Sequence, residues 1–133
     1  MVSSTKMVCL SVTNESDIAE VARQARQTAV ALGFATVQAY YIATAASELA
    51  ANLLIHAGGG VVELLPLTGR PGLELTSTDC GPGIADIDKA LQDGYSTAGG
   101  LGCGLPGVQR LMDELDINSR VGVGTVVRAS KWL

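Results

Sequence analysis

Apolar residues recur along this chain with two periods, and the change of period divides it into helical and extended stretches. Met7 to Val12 is a short apolar run without helical spacing, which predicts a strand, and Thr13-Asn14-Glu15-Ser16 behind it offers caps for a helix beginning near Asp17. From Asp17 to Leu32 the residues Ile18, Val21, Ala22, Ala25, Ala29 and Leu32 follow at three- and four-residue steps, with Arg23 and Arg26 on the wet side and Gly33 as the stop. A second, alanine-rich helix is expected from about Thr36 to Ala57, ending in Gly58-Gly59-Gly60. Val61 to Leu67 and Leu73 to Thr78 are leucine-rich or β-branched and flank the turn composition Thr68-Gly69-Arg70-Pro71-Gly72, which predicts an antiparallel hairpin. A short helix is expected over Asp86 to Gln92, a glycine-rich loop over Gly94 to Gly104, and a helix across Pro106 to Asp113. Leu115 to Arg120 and Thr125 to Lys131 form a closing hairpin over Val121-Gly122-Val123-Gly124. With no internal repeat or linker, the pattern describes one α/β unit whose strands pair mostly antiparallel.

Composition narrows what that unit can do. The length of 133 residues suits one domain, 1–133, and 47% hydrophobic against 17% charged residues is enough apolar surface to offset chain entropy. The formal charge of -4 argues against a nucleic-acid partner, because phosphate-backbone binding is driven by excess Lys and Arg. Cys9, Cys80 and Cys103 contain no C-x-x-C pair and His56 is the lone imidazole, so neither a zinc site nor a disulfide framework is expected. No run approaches a membrane span and Met-Val-Ser-Ser-Thr-Lys lacks the apolar core of a secretory signal, which together with the cysteines points to a reducing cytoplasm.

Three segments carry candidate chemistry. Glu48 and Asn52, four apart in Ser-Glu-Leu-Ala-Ala-Asn, emerge on one helix face. A carboxamide oxygen can ligate a hard cation without cancelling its charge while a carboxylate takes a proton, although a solvated polar pair has the same spacing. Asp79-Cys80-Gly81-Pro82-Gly83 ends a strand with an acceptor and two glycines, as a ligand-facing segment or a plain turn would. Gly99-Gly100-Leu101-Gly102-Cys103-Gly104-Leu105 runs into a helix marked by Pro106, and free amides at a helix start attract phosphate, although loops also gather glycine. Gly102 to Gly107 formally matches G-x-G-x-x-G, but no buried strand precedes it and no acid follows at the required distance, and G-x-x-x-x-G-K-[ST] is absent. His56, just past this face in an apolar stretch, reads as a core or capping imidazole.

In that order, Glu48-x-x-x-Asn52, Asp79-x-Gly81-x-Gly83, Gly100-x-Gly102-x-Gly104 and Gly124-Thr125 resemble the GHKL (Bergerat-fold) ATPases, and the stretch Asp93 to Val108 with Arg110-Leu111-Met112-Asp113-Glu114 is similar to the RsbT-type switch kinases. The resemblance implies a two-layer α/β sandwich with a mixed, mostly antiparallel sheet covered on one face by helices. It implies ATP and Mg²⁺, with Asn52 as the metal-holding residue, Glu48 as general base and Asp79 as acceptor of the adenine amino hydrogen. Gly81 and Gly83 would close on the base, Gly100, Gly102 and Gly104 would wrap the phosphates, and Thr125 would support the adenine end. Implied partners are STAS-domain antagonist and scaffold proteins as phosphoacceptors and a PP2C-type phosphatase as the target of activation. The alternative within the lineage is an anti-sigma factor or ATP-dependent binding module with little kinase activity. No dimerisation helix bearing a phosphoacceptor His and no transducer domain flank the unit, so a whole histidine kinase or gyrase is not expected. The basic residue that offsets phosphoryl charge is open between Lys89 and Arg110, and Cys80 and Cys103 are expected to be inert packing residues.

Overall fold

A computed structural model of the chain describes residues 6–86, 91 and 104–133. The elements follow the order β1 (Val8–Val12), α1 (Glu15–Leu32), α2 (Thr36–Ala57), β2 (Gly60–Leu67), β3 (Gly72–Asp79), α3 (Gly104–Leu111), β4 (Glu114–Arg120) and β5 (Gly124–Trp132). The strands form one five-stranded sheet in the order β1-β2-β3-β5-β4, and all four pairings are antiparallel rather than mixed. The period-2 pattern explains why helices cover one face only. The rows Leu10-Val62-Ser77-Val127-Ile117 and Val8-Leu64-Leu75-Ala129-Leu115 carry the apolar side chains, while the row between them, Cys9-Glu63-Thr76-Arg128-Asp116, is mostly polar.

Helix α1 begins at Glu15 rather than Asp17, because Asn14 caps it and the Asp17 side chain returns to the Asn14 backbone in a reciprocal capping box. Its buried stripe is Val21, Ala25 and Ala29. Helix α2 is buried along Ala39, Ile42, Ala43, Ala45, Ala46, Leu49, Ala50 and Leu53, a wide stripe that follows from its position against α1, α3 and the sheet. Alanine lets these neighbours approach, and burial of Ile42 and Leu49 stabilises the fold by about 1.5–3 kcal/mol each. Both helices stop at glycines in the left-handed region, Gly33 and Gly58. His56 is exposed in the last turn of α2, so it is no core residue; it sits where a cation complements the helix dipole.

Helix α3 spans Gly104–Leu111, two residues earlier at both ends than the apolar pattern suggests. Pro106 falls in its first turn, where no amide hydrogen is required. The helix ends before Asp113 because the chain joins the sheet there: the Asp113 N–H donates to the Ser130 carbonyl at 2.9 Å. The Asp113 carboxylate in turn accepts from the Trp132 N–H at 2.8 Å. Lys131 is only 8% exposed and its Nζ donates to the Leu111 carbonyl at 2.9 Å, closing the C-terminal end of α3. The expected helix from Asp86 to Gln92, apart from Asp86 and Leu91, and the loop residues Gly100, Gly102 and Cys103 lie outside the described residues.

The tightest backbone approach in the sheet is at Gly124, which has φ +146 and whose added Cβ would overlap the Asp79 carbonyl oxygen. Gly124→Ala is therefore expected to destabilise the fold by about 2 kcal/mol or more through combined strain and overlap. The shift of the urea midpoint measures it; an unchanged midpoint would mean that β5 and Asp79 can move apart freely.

Candidate functional site

The C-terminal half of α2, the end of β3, the start of β5 and the first residue of α3 meet at one end of the molecule. Glu48 and Asn52 are half-buried on α2, one turn or about 6 Å apart along its axis. Gly104 stands against both: its N–H donates to the Glu48 carboxylate, and a Cβ on it would lie 3.9 Å from Asn52 Oδ1. Burial pushes the Glu48 carboxyl above its ordinary value, and the Gly104 N–H pulls against that shift. A carboxylate that prefers to hold its proton more than usual, placed beside a helix N-terminus, is suited to accept a proton from a reacting group.

Asp79 terminates β3 opposite Thr125 of β5. Its Oδ1 accepts from the Gly81 N–H at 2.8 Å and from the Thr125 N–H at 3.3 Å, which fixes the carboxylate plane and leaves Oδ2 outside these two bonds. Thr125 is 7% exposed and its hydroxyl lies 2.8 Å from Ser119 Oγ. Ser119 Oγ also accepts from the Ile84 N–H at 2.7 Å, so the segment after Asp79 is tied to β4. Ser119 carries no signal of its own in the sequence. Its role follows only from the β4/β5 register, which sets Ser119 opposite Thr125.

The glycines after Asp79 are dictated by neighbouring chain. A Cβ at Gly81 would sit 2.6 Å from the Ala57 Cβ, which is how the end of β3 closes on the end of α2. At Gly83 it would overlap the Arg120 carbonyl oxygen, beside the bond from the Gly122 N–H to the Pro82 carbonyl at 2.8 Å. Of the sequence-derived site residues, the fold thus gathers Glu48, Asn52 and Gly104 in one group and Asp79, Gly81, Gly83 and Thr125 in another. The groups are linked through the last turn of α2, while Gly100 and Gly102 lie outside the described residues. Arg110 is about 9 Å along α3 from Gly104, and Lys89 lies outside the described residues.

Among the described residues no three His, Cys, Asp or Glu side chains gather as a metal cluster. A single amide oxygen beside free helix amides instead fits a Mg²⁺ ion whose other ligands come from water and substrate phosphates, the usual habit of that cation. No helix among the described residues is long and apolar enough to cross a membrane.

Residues 10–131 match the family described as histidine kinase-like ATPase domain. The chain is 48% identical over 127 residues to the serine/threonine-protein kinase RsbT of Bacillus subtilis (strain 168), a match that covers 94% of this chain and 96% of that protein. It is 34% identical over 98 residues to the anti-sigma F factor of Thermoanaerobacter sp. (strain X514), covering 69% of this chain and 68% of that one. Among solved structures it resembles the histidine kinase domain of the blue-light activated histidine kinase of Erythrobacter litoralis EL346, with a TM-score of 0.55 and 22% identity. That likeness, which is one of fold, covers 92% of this chain and 64% of the other, so this chain spans less than two thirds of that protein domain's length.

Proposed function

Because the chain belongs to the histidine kinase-like ATPase family, and within it to the RsbT-type serine/threonine kinases, we propose that it transfers the γ-phosphoryl group of ATP to a serine or threonine of a STAS-domain antagonist or scaffold protein. The observation that carries this reading is the triangle of Glu48, Asn52 and the Gly104 amide at the start of α3. Phosphoryl transfer needs positioning and charge stabilisation more than covalent chemistry, and these groups supply both. Glu48 receives the proton of the incoming hydroxyl. The Asn52 amide oxygen holds Mg²⁺, which when bound neutralises charge on the phosphates. Gly100, Gly102 and Gly104 wrap the phosphates, whose oxygens meet amide hydrogens of this segment other than the Gly104 N–H, which Glu48 holds. Asp79, its Oδ1 fixed by the Gly81 and Thr125 amides, accepts the adenine amino hydrogen through Oδ2. Gly81 and Gly83 keep the chain close to the base, and Thr125 supports that end.

The unit acts as one domain over residues 1–133 in a reducing cytoplasm, and after transfer it engages a PP2C-type phosphatase. A second reading, a switch module that binds partners with little transfer, is favoured by the identity to an anti-sigma F factor. Incubation with Mg²⁺, γ-labelled ATP and a STAS-domain protein tests the choice. Label in acid-stable phosphoserine or phosphothreonine is expected, and tight binding of the STAS protein without transfer would select the switch module. Nucleotide choice gives a separate check on Asp79. In Asp79→Asn the carboxamide oxygen can still accept from Gly81 and Thr125, which turns an NH₂ donor toward the adenine amine. The preference for ATP over GTP is then expected to fall by at least about tenfold, in line with the loss of one buried polar match. Equal preference in variant and wild type would place the adenine contact elsewhere.

A further inference from the structure

We infer that Ser119 is a positioning residue for the nucleobase: it turns the Thr125 hydroxyl outward as a donor beside the acceptor Asp79, and so makes the site read adenine rather than guanine. The helix-side face of the sheet ends in a row that breaks its own pattern. Leu75, Ala129 and Leu115 form one cross-strand row and Ser77, Val127 and Ile117 the next, and then come Asp79, Thr125 and Ser119. Three polar side chains abreast on a face otherwise given largely to the core must have their hydrogen bonds accounted for. Opposite residues in such a row are about 5 Å apart at Cβ, so the three form one group.

Counting protons gives the direction. A serine hydroxyl has one proton to donate and two lone pairs. Ser119 Oγ already receives the Ile84 N–H at 2.7 Å. Its own proton can go to Thr125 Oγ1 at 2.8 Å or to the Gly124 carbonyl at 3.3 Å. The first distance is ordinary for an O–H···O bond and the second lies beyond the usual range. With Ser119 donating to Thr125, the Thr125 proton meets no other acceptor among the described residues. Thr125 is buried, so that proton calls for an acceptor in the ligand. The reverse direction leaves Ser119 with the long bond and Thr125 with lone pairs alone. Base chemistry then selects. Asp79 Oδ1 is taken by the Gly81 and Thr125 amides, which leaves Oδ2 to accept. An acceptor at Asp79 next to a donor at Thr125 matches the adenine edge, an amine followed by the N1 lone pair. It opposes the guanine edge, a carbonyl followed by N1–H. With alanine in place of Ser119, the Thr125 proton can turn into the vacated space and leave a lone pair facing the base, which removes part of that opposition.

This role rests on the reading of the site as an ATP site and deepens it by naming the group that sets base selectivity. The test is equilibrium binding, in Mg²⁺, of ATP, GTP and the triphosphate of 1-deazaadenosine, in which C–H replaces N1. The proteins compared are the wild type, S119A, S119T, T125V and S119A/T125V. The wild type is expected to prefer ATP over the 1-deaza analogue, and S119A to lose about three- to tenfold of that preference, the size of one neutral hydrogen bond. The preference of S119A for ATP over GTP should fall as well. S119T keeps the hydroxyl and should restore both preferences. T125V should lose the preference over the 1-deaza analogue, and adding S119A to it should change that ratio no further, because Ser119 acts through Thr125. A merely structural loss would weaken ATP and the analogue equally and leave their ratio intact. A wild type that binds ATP and the analogue alike, an unaltered ratio in S119A, or a further drop in S119A/T125V overturns the assignment. A wild type that binds no nucleotide overturns the ATP reading along with it, whereas the expected ratios without transfer to any STAS-domain protein overturn the kinase reading alone.

Discussion

Replacing Glu48 with glutamine is expected to lower phosphoryl transfer by ~10²–10⁴ while ATP affinity stays close to that of the wild type. Glutamine keeps the length of the side chain and an oxygen that can accept from the Gly104 N–H, the contact that joins Glu48 to the start of α3. What it loses is the capacity to take the proton of the incoming hydroxyl. Stability should not suffer. The Glu48 carboxyl is raised in the folded state, so ionising it costs folding free energy, and that cost grows as pH climbs through the window above the ordinary carboxylate value. The glutamine variant escapes the cost. It is therefore expected to be at least as stable as the wild type at neutral pH, with the difference fading in acid, and urea titrations at the two pH values measure this. A variant that transfers at the wild-type rate would remove Glu48 from the chemistry.

Asn52→Ala is expected to weaken Mg²⁺-dependent ATP binding by at least about 100-fold. Residues that merely orient a metal ligand cost roughly 10–100-fold in affinity when removed, and the direct ligand costs no less. The side chain is half-buried and no core residue depends on it, so the fold should change by less than ~1 kcal/mol. Calorimetry with ATP in Mg²⁺ and in EDTA separates the causes. Loss in Mg²⁺ with little change in EDTA is the expected pattern, and an equal loss in both would make Asn52 a contact to the nucleotide itself rather than to the ion.

Most of the architecture was legible because each element carried its own period and punctuation. Strands β2, β3, β4 and β5 lie within a residue of the runs that predict them, and α2 has the bounds its alanine-rich pattern suggests. The spacing of Glu48 and Asn52 placed both on one helix face, and the helix brought Gly104 to them. What the pattern hid depends on contacts between distant segments. Ser119 enters the Asp79–Thr125 network only through strand register. Lys131 looks like a surface cation at the end of a strand, yet it is buried against the end of α3 because the Leu111 carbonyl needs a donor there. Gly81 and Gly83 were legible as glycines near a ligand, but the atoms that demand them are Ala57 and the Arg120 carbonyl, which no local pattern announces. His56 shows the reverse, an imidazole in an apolar stretch that is exposed in the last turn of α2, which rules out the core half of its reading and leaves the helix-end half.

The central claim is that Glu48, beside Asn52 and the first amide of α3, is the base in phosphoryl transfer. A single-turnover rate profile across pH, with γ-labelled ATP, saturating Mg²⁺ and a STAS-domain acceptor, tests it most directly when run on the wild type and on Glu48→Gln. A base works only when deprotonated, so the wild-type rate should fall toward acid as Glu48 takes up its proton, a limb that the burial of Glu48 shifts upward. In the glutamine variant that limb should vanish and leave a slow rate without it. Superimposable profiles, differing neither in height nor in the acidic limb, would contradict the account.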